Sequence, residues 1–257
     1  MTSMVPSGMF DLSGRVAVVT GGNGGIGLGM ARGLAAAGAW VAVVGRNAEK
    51  NKAAVAELGE GAFAVQADLV EKDAADRVIA QVVEQAGGID ILVNNAGTNI
   101  RRLPQDVTDE DWHAVMDANL TSTMRMSRAA YPHLKASGHG RVITVGSMMS
   151  IFGLPLSPAY GASKGGVVQY TRSLAVAWGP DGITANAVLP GWIETELTAG
   201  ARIDMPDLND RVLARTPQKR WGKPGDFAGL AAFLASDASA FVTGTAIPVD
   251  GGLSVHG

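Results

Sequence analysis

The chain has 257 residues, with 21 Lys and Arg against 24 Asp and Glu, a formal net charge of −3; a nucleic-acid or anionic-membrane binder needs a basic surplus, which this balance argues against. With 47% hydrophobic and 18% charged residues the chain can bury a sizeable core as one large domain spanning residues 1–257. The absence of cysteine removes disulfides, thiolate nucleophiles and cysteine zinc sites together.

Residues 1–10 are expected to be loose, and residues 1–14 show no basic segment leading into an apolar one. No stretch approaches about 18 apolar residues, so the expectation is a cytoplasmic protein with no membrane anchor. Short β-branched runs then alternate with longer Ala-rich stretches, the pattern of βαβ units feeding a parallel sheet. Arg15–Thr20 reads as a strand, 25–38 as a helix, Trp40–Gly45 as a strand and Ala48–Leu58 as a helix. A weaker strand at 62–67 precedes a helix over 71–86 and a strand at 89–94. A long helix over 109–135 leads to a strand at 141–147, and a helix over 159–178 to a strand at 183–189. A helix over 226–235 and a strand at 245–249 close the chain. Runs such as VAVV, free of charge, must be covered on both faces. The fold class is therefore α/β, a single doubly wound domain with a parallel sheet of about seven strands. Pro248 places the last strand at the sheet edge.

The glycine-rich segment Thr20-Gly-Gly-Asn-Gly-Gly-Ile-Gly27 directly follows the first strand and opens the first helix. Two registers satisfy a dinucleotide-binding spacing, Gly22/Gly24/Gly27 and Gly21/Gly25/Gly27. Either puts glycines where a pyrophosphate must approach a helix N-terminus closely. Such sites usually carry an acidic residue at the end of the second strand to hold ribose hydroxyls. Here Gly45 is followed by Arg46, which lacks the carboxylate's repulsion and can pair with a 2′-phosphate; NADP is favoured and NAD is the alternative.

Tyr160 and Lys164 lie four apart on one predicted helix face. Lowering a phenol pKa from about 10 to about 7 takes roughly 4 kcal/mol, and an ammonium together with a helix N-terminus, worth up to about 2 kcal/mol, act in that direction. Ser147, thirteen residues before Tyr160, ends a strand at the carboxyl edge where such sheets bind ligands.

Thr20-Gly21-x-x-x-Gly25-x-Gly27, Asn94-Asn95-Ala96-Gly97, Asn119, Ser147, Tyr160-x-x-x-Lys164 and Pro190-Gly191 followed by Thr195 together resemble the short-chain dehydrogenase/reductase family over nearly the whole chain. The resemblance implies an NAD(P)-dependent oxidoreductase that transfers a hydride between nicotinamide and a carbonyl or secondary alcohol. It implies Tyr160 as general acid/base and Ser147 as the donor that orients the substrate oxygen. Lys164 would bind the nicotinamide ribose and lower the tyrosine pKa, and Asn119 would hold a relay water. It selects the Gly21/Gly25/Gly27 register and assigns cofactor contacts to Gly21, Asn23, Gly25, Ile26, Gly27, Arg46, Asp68, Leu69, Asn95, Ala96, Gly97, Tyr160, Lys164, Pro190, Gly191, Ile193 and Thr195. Within these, Asp68 is expected near the adenine, Asn94 near the adenosine ribose, and Ile193 and Thr195 near the carboxamide. The stretches 94–102 (NNAGTNIRR) and 215–222 (RTPQKRWG) look like the branch with gluconate 5-dehydrogenases and deoxygluconate dehydrogenases. A homotetramer is implied by the same resemblance.

Arg101 and Arg102 read either as partners for a sugar-acid carboxylate or as a solvated pair. Met148, Met149 and Trp192 read as pocket lining or as core. The polar segment 196–220 is where a substrate lid is expected, partly helical when ligand is bound. His113, His133, His139 and His256 show no metal-ligand spacing and read as structural. A small polyol, sugar acid or ketone is the expected substrate. A 3-oxoacyl thioester reductase and a non-catalytic nicotinamide-binding redox sensor are the alternatives. The first lacks a basic run for an acidic carrier, and the second has no use for the Asn119/Ser147/Tyr160/Lys164 set.

Overall fold

The computed structural model describes residues 8–256. The expected loose start falls on residues 1–7, outside the described residues, and on residues 8–10, which form a turn.

Seven parallel strands form one sheet: β1 (Val16–Thr20), β2 (Trp40–Gly45), β3 (Ala62–Gln66), β4 (Ile91–Asn94), β5 (Arg141–Val145), β6 (Thr184–Pro190) and β7 (Ala246–Val249). Their spatial order is β3-β2-β1-β4-β5-β6-β7. Helices α1 (Gly25–Ala36), α2 (Ala48–Leu58), α3 (Ala74–Ala86), α4 (Asp109–Met116), α5 (Ser122–Ser137) and α6 (Pro158–Trp178) follow the successive strands. Helices α7 (Glu196–Asp204), α8 (Leu208–Arg215) and α9 (Ala228–Ala235) fill the interval between β6 and β7.

Strand residues alternate between two cores. Ala17, Val19, Val41 and Val43 face one layer, which Met30 and Leu34 of α1, Phe227 just ahead of α9 and Leu234 of α9 complete. Val16, Val18, Ala42 and Val44 face the other, which Val78, Val82, Met126, Leu134 and Leu174 fill from α3, α5 and α6. Each such buried aliphatic side chain is worth roughly 1.5–3 kcal/mol, so a strand with charge-free runs on both faces is stable only at this depth. Against α1, helix α9 packs unusually closely because α1 presents glycines there. A Cβ at Gly33 would lie 2.2 Å from the Ala228 carbonyl oxygen, and one at Gly29 would lie 1.9 Å from that of Pro224.

β7 forms one edge, as Pro248 requires. β6 amides donate to the carbonyls of Thr245 and Val249, so by alternation the position of Pro248 turns its missing N–H outward.

The expected single helix over 109–135 is broken. Residues Asp117–Thr121 form a π-helical segment between α4 and α5. The widened turn changes carbonyl pairing, and hydroxyls take part in it: Ser122 Oγ donates to the Ala118 carbonyl at 2.7 Å and Thr123 Oγ1 to that of Asn119 at 2.8 Å. The helix expected from residue 71 begins at Ala74, because residues 68–73 make turns in which the Glu71 and Ala74 amides bond back to Asp68 and Glu71. The segment 196–220, expected to be a polar lid, holds α7 and α8 around an apolar cluster of its own, Ala201, Leu208, Val212 and Trp221. Among the described residues no helix is long and apolar enough to cross a membrane.

Candidate active site

The chain winds outward from β1 to β3, then returns to place β4 on the other side of β1, and the crevice at this reversal opens at the carboxyl ends of the two strands. Its lips are tied together. Thr20 Oγ1 accepts from the Asn95 and Ala96 amides at 2.9 and 3.1 Å, and Asn95 Nδ2 donates to the carbonyls of Thr20 and Gly21 at 3.0 and 3.1 Å.

The turn after β1 decides between the two glycine registers. Gly21 and Gly25 have φ of 62° and 50°, which other residues adopt only with strain. A Cβ at Gly27 would lie 2.3 Å from the Gly21 carbonyl oxygen, whereas one at Gly24 meets nothing within 4 Å. Gly22 is also tight, a Cβ there lying 2.8 Å from the Val19 carbonyl oxygen, so Gly24 is the position that separates the registers: every member of Gly21/Gly25/Gly27 is required by the backbone, and Gly24 is not. Gly24, the residue preceding α1, supplies no side-chain cap, so the first amides of α1 are left to attract an anion.

From this turn a groove of about 300 Å³ runs along the sheet edge. Of the residues expected at a dinucleotide, Gly21, Asn23, Gly25, Ile26, Asn95, Ala96, Gly97, Tyr160, Lys164, Pro190, Gly191, Ile193 and Thr195 line it, together with Ser147. Gly27 sits beneath the turn, and Leu69 packs against the second core. Arg46 and Asp68 stand off the groove wall as an ion pair at 3.7 Å, with the Arg46 side chain 75% exposed. Asn94, expected near a ribose, lies behind the groove instead. It is buried, and its Nδ2 donates to Ser127 Oγ at 3.0 Å. Position 45 is crowded: a Cβ there would lie 2.3 Å from Asn23 Nδ2 and 2.7 Å from Asn51 Oδ1, so a side chain would have to displace the ends of these two residues. The glycine cradle, the uncapped α1 amides and the length of the groove fit a dinucleotide, with pyrophosphate at the turn and nicotinamide toward Tyr160.

At the catalytic end, Ser147 follows β5 and caps a 3-10 turn through the Met149 amide, 3.1 Å from its Oγ. Tyr160 and Lys164 come from the first turns of α6, with the Lys164 Nζ 5.7 Å from the Tyr160 ring centre. Lys164 is buried and donates to the Val145 carbonyl at 2.7 Å. Asn119, in the π segment, is also buried. Its Oδ1 accepts from the Thr98 amide at 2.7 Å, and its Nδ2 donates to the Thr98 carbonyl at 3.0 Å and to Ser163 Oγ at 2.9 Å. It thereby clamps the chain after Gly97 to α6.

The electrostatics differ from the sequence expectation in one respect. Burial raises the Tyr160 pKa above the ordinary phenol value, and hydrogen bonding with Ser147 opposes this without reversing it. Burial also lowers Lys164 to about 8. Desolvation disfavours both charged forms here. The protein by itself thus holds Tyr160 as a neutral phenol, a proton donor.

A second, smaller pocket of about 80 Å³ opens beside Ser147 and Tyr160. Arg101 lines it and donates through Nη2 to the Leu197 carbonyl of α7 at 3.0 Å. Arg102 does not line it; its Nε lies 3.2 Å from an Asp111 carboxylate oxygen. Met148, Met149 and Trp192 line the pocket and also belong to a small apolar cluster with Leu189 and Leu253, so the lining and core readings both hold for them. Lys50, on the first turn of α2, and Glu196, Leu197 and Thr198 on α7 line the groove as well. The last three belong to the segment 196–220 expected over the pocket, whereas nothing in the sequence singles out Lys50; only the folding of residue 196 against residue 50 reveals it. Among the described residues no group of three or more His, Asp or Glu side chains is placed to hold a metal ion.

Residues 21–254 match the family model described as enoyl-(acyl carrier protein) reductase. The chain is 41% identical over 247 residues to a 2-dehydro-3-deoxy-D-gluconate 5-dehydrogenase of Escherichia coli, covering 95% of this chain and 96% of that protein. It is 37% identical over 245 residues to the 3-oxoacyl-(acyl-carrier-protein) reductase MabA of Mycobacterium tuberculosis, covering 94% and 93%. Among solved structures, a gluconate 5-dehydrogenase from Burkholderia cenocepacia in complex with NADP and tartrate superposes with a TM-score of 0.91 at 39% identity, covering 96% of this chain and 98% of that one. Matches of this length, on a sheet and a groove of this form, place the chain in the short-chain dehydrogenase/reductase family, to which it belongs.

Proposed function

We propose that the protein is an NAD(P)-dependent dehydrogenase/reductase acting on a small hydroxy or keto acid of the sugar-acid class, with NADPH preferred over NADH. The observation that carries this reading is one pocket in which Ser147 and Tyr160, a proton-donating pair, are joined by the guanidinium of Arg101. The named relatives that act on gluconate or deoxygluconate support the same substrate class. NADPH preference is supported by the glycine at position 45, where no carboxylate stands to repel a 2′-phosphate, and by the Arg46 side chain at the end of β2.

The nicotinamide, when bound, supplies the hydride in reduction and accepts it in oxidation. Gly21, Gly25 and the α1 amides would hold the phosphates of the dinucleotide, and Ile193 and Thr195 would flank its nicotinamide end. Ser147 Oγ donates a hydrogen bond to the substrate carbonyl oxygen and fixes its position. Tyr160 Oη delivers the proton to that oxygen, and its raised pKa keeps that proton in place through neutral pH. Lys164 holds positive charge beside the phenol and stabilises the phenolate left behind. Asn119 ties the segment following Gly97 to α6. Arg101 pairs with the carboxylate and sets which carbon faces Tyr160. The pocket rests beneath α7, whose Leu197, Thr198 and Ala201 close it from above.

The reading retains a cytoplasmic enzyme and a homotetramer. Exposed apolar side chains support association: Val176 late in α6 and Phe241 ahead of β7. Sedimentation at micromolar concentration checks the assembly. The functional test is NADPH and NADH oxidation across uncharged ketones, keto sugar acids and 3-oxoacyl thioesters. Turnover of a keto sugar acid with NADPH is expected, and turnover confined to thioesters overturns the substrate assignment.

A further inference from the structure

Lys50 and Glu196 lie 146 positions apart in sequence, yet Lys50 Nζ sits 2.6 and 2.7 Å from the two Glu196 carboxylate oxygens. Lys50 stands on the first turn of α2, four residues after Arg46, and Glu196 is the first residue of α7. The pair crosses the groove at its glycine-turn end, where both side chains line the wall with Asn23, Gly24 and Gly25. Among the described residues lining the groove, Glu196 is the acidic one; the lysine other than Lys50 is Lys164, which is engaged at the catalytic end. A carboxylate thus occupies the cation that stands beside the uncapped amides of α1, the place where an anion is most favoured.

We propose that Lys50 is a phosphate-binding residue for the dinucleotide, and that Glu196 is the anion it releases when the cofactor binds. The proposal rests on the dinucleotide reading of the groove and adds a residue pair to it. Both partners are substantially exposed, with side chains 47% and 85% accessible, and exposed pairs of this kind are weak. A phosphate oxygen offers the ammonium a stronger, charge-assisted partner. Left in place, Glu196 would repel that phosphate. Exchange therefore turns a competing anion away from the site and frees the start of α7, the helix that carries Leu197, Thr198 and Ala201 over the substrate pocket.

Two partners of one ion pair then act on cofactor affinity with opposite sign. This separates the proposal from a strap that merely holds α7 in place, for which loss of either partner has the same effect. The experiment is fluorescence titration of NADPH and NADH into the wild-type protein, Lys50→Ala, Lys50→Arg, Glu196→Gln and the double variant Lys50→Ala/Glu196→Gln. Lys50→Ala is expected to weaken binding about tenfold, the loss of one hydrogen bond to a charged group, and Lys50→Arg to retain most of it. Glu196→Gln is expected to tighten binding about threefold, the scale of an exposed pair, and to confer a smaller benefit once Lys50 is absent. Weakening of NADPH alone assigns Lys50 to the 2′-phosphate, and equal weakening of both dinucleotides assigns it to the pyrophosphate. Unchanged affinity in Lys50→Ala, or weaker binding in Glu196→Gln, overturns the proposal while the dinucleotide reading stands. A wild-type protein that binds neither dinucleotide overturns that reading as well.

Discussion

Lys164→Met is the substitution with the most informative stability profile. Burial lowers the Lys164 pKa from an ordinary 10.5 to about 8, so keeping the ammonium charged inside the fold costs about 3 kcal/mol. The sign follows from proton binding. Between about pH 8 and 10.5 the unfolded chain holds the Lys164 proton and the folded chain does not, so this group makes stability rise with pH across that window. Below pH 8 the cost is present in full. Methionine removes the charge at similar volume, but it also removes the 2.7 Å bond to the Val145 carbonyl, and a buried carbonyl left without its partner costs about 1–3 kcal/mol. The variant without cofactor is therefore expected to gain about 1 kcal/mol over the wild type at pH 7. Above pH 8 that advantage falls away and becomes a deficit as the wild type sheds its burial cost. Urea unfolding of both proteins at one protein concentration, in steps from pH 7 to the alkaline limit of reversibility, measures the difference. Parallel stability curves for the two proteins would refute the claim that Lys164 is held against its desolvation.

Because burial raises the Tyr160 pKa, reduction should be flat through neutral pH and fall only on the alkaline side, while oxidation by the same enzyme climbs with pH; pH–rate profiles in both directions check this, and a reduction rate already falling through neutrality contradicts it. Arg101→Ala should raise KM for a sugar acid about tenfold or more and leave an uncharged ketone unaffected. Arg102→Ala should change neither, since Arg102 is engaged with Asp111, and steady-state kinetics on the two substrates separate the residues. Gly29→Ala forces a Cβ against the Pro224 carbonyl and should destabilise by about 1–3 kcal/mol. Gly24→Ala, which meets open space, should be nearly neutral in thermal denaturation.

Where the sequence is legible, a local signal coincides with a physical necessity. The boundaries of β2 and α2 are read correctly because an unbroken apolar run reads as a two-face strand; the side-chain cap that starts α2, Asn47 Oδ1 accepting from the Lys50 amide at 2.9 Å, emerges only in the fold. The glycine turn is readable as a turn, but its register needs φ values and Cβ clearances, which are properties of the folded backbone. The π segment at Asp117–Thr121 contains neither glycine nor proline, the residues by which a sequence most plainly marks a break in a helix. Arg101 and Arg102 are equivalent as sequence; only the path of the chain after Asn95 puts one in the pocket and the other on Asp111. The lowered pKa expected for Tyr160 counted the neighbouring ammonium and omitted the burial of both groups, which the sequence does not report. Lys50 and Glu196 meet only because α7 returns across the groove.

The central claim is that Tyr160 donates the proton in an NADPH-dependent reduction of a keto acid. Measuring NADPH affinity and turnover together, in the wild type and in Tyr160→Phe, tests it most directly. The account predicts an unchanged dissociation constant with kcat lowered by about two to four orders of magnitude. Turnover by Tyr160→Phe at the wild-type rate would contradict it.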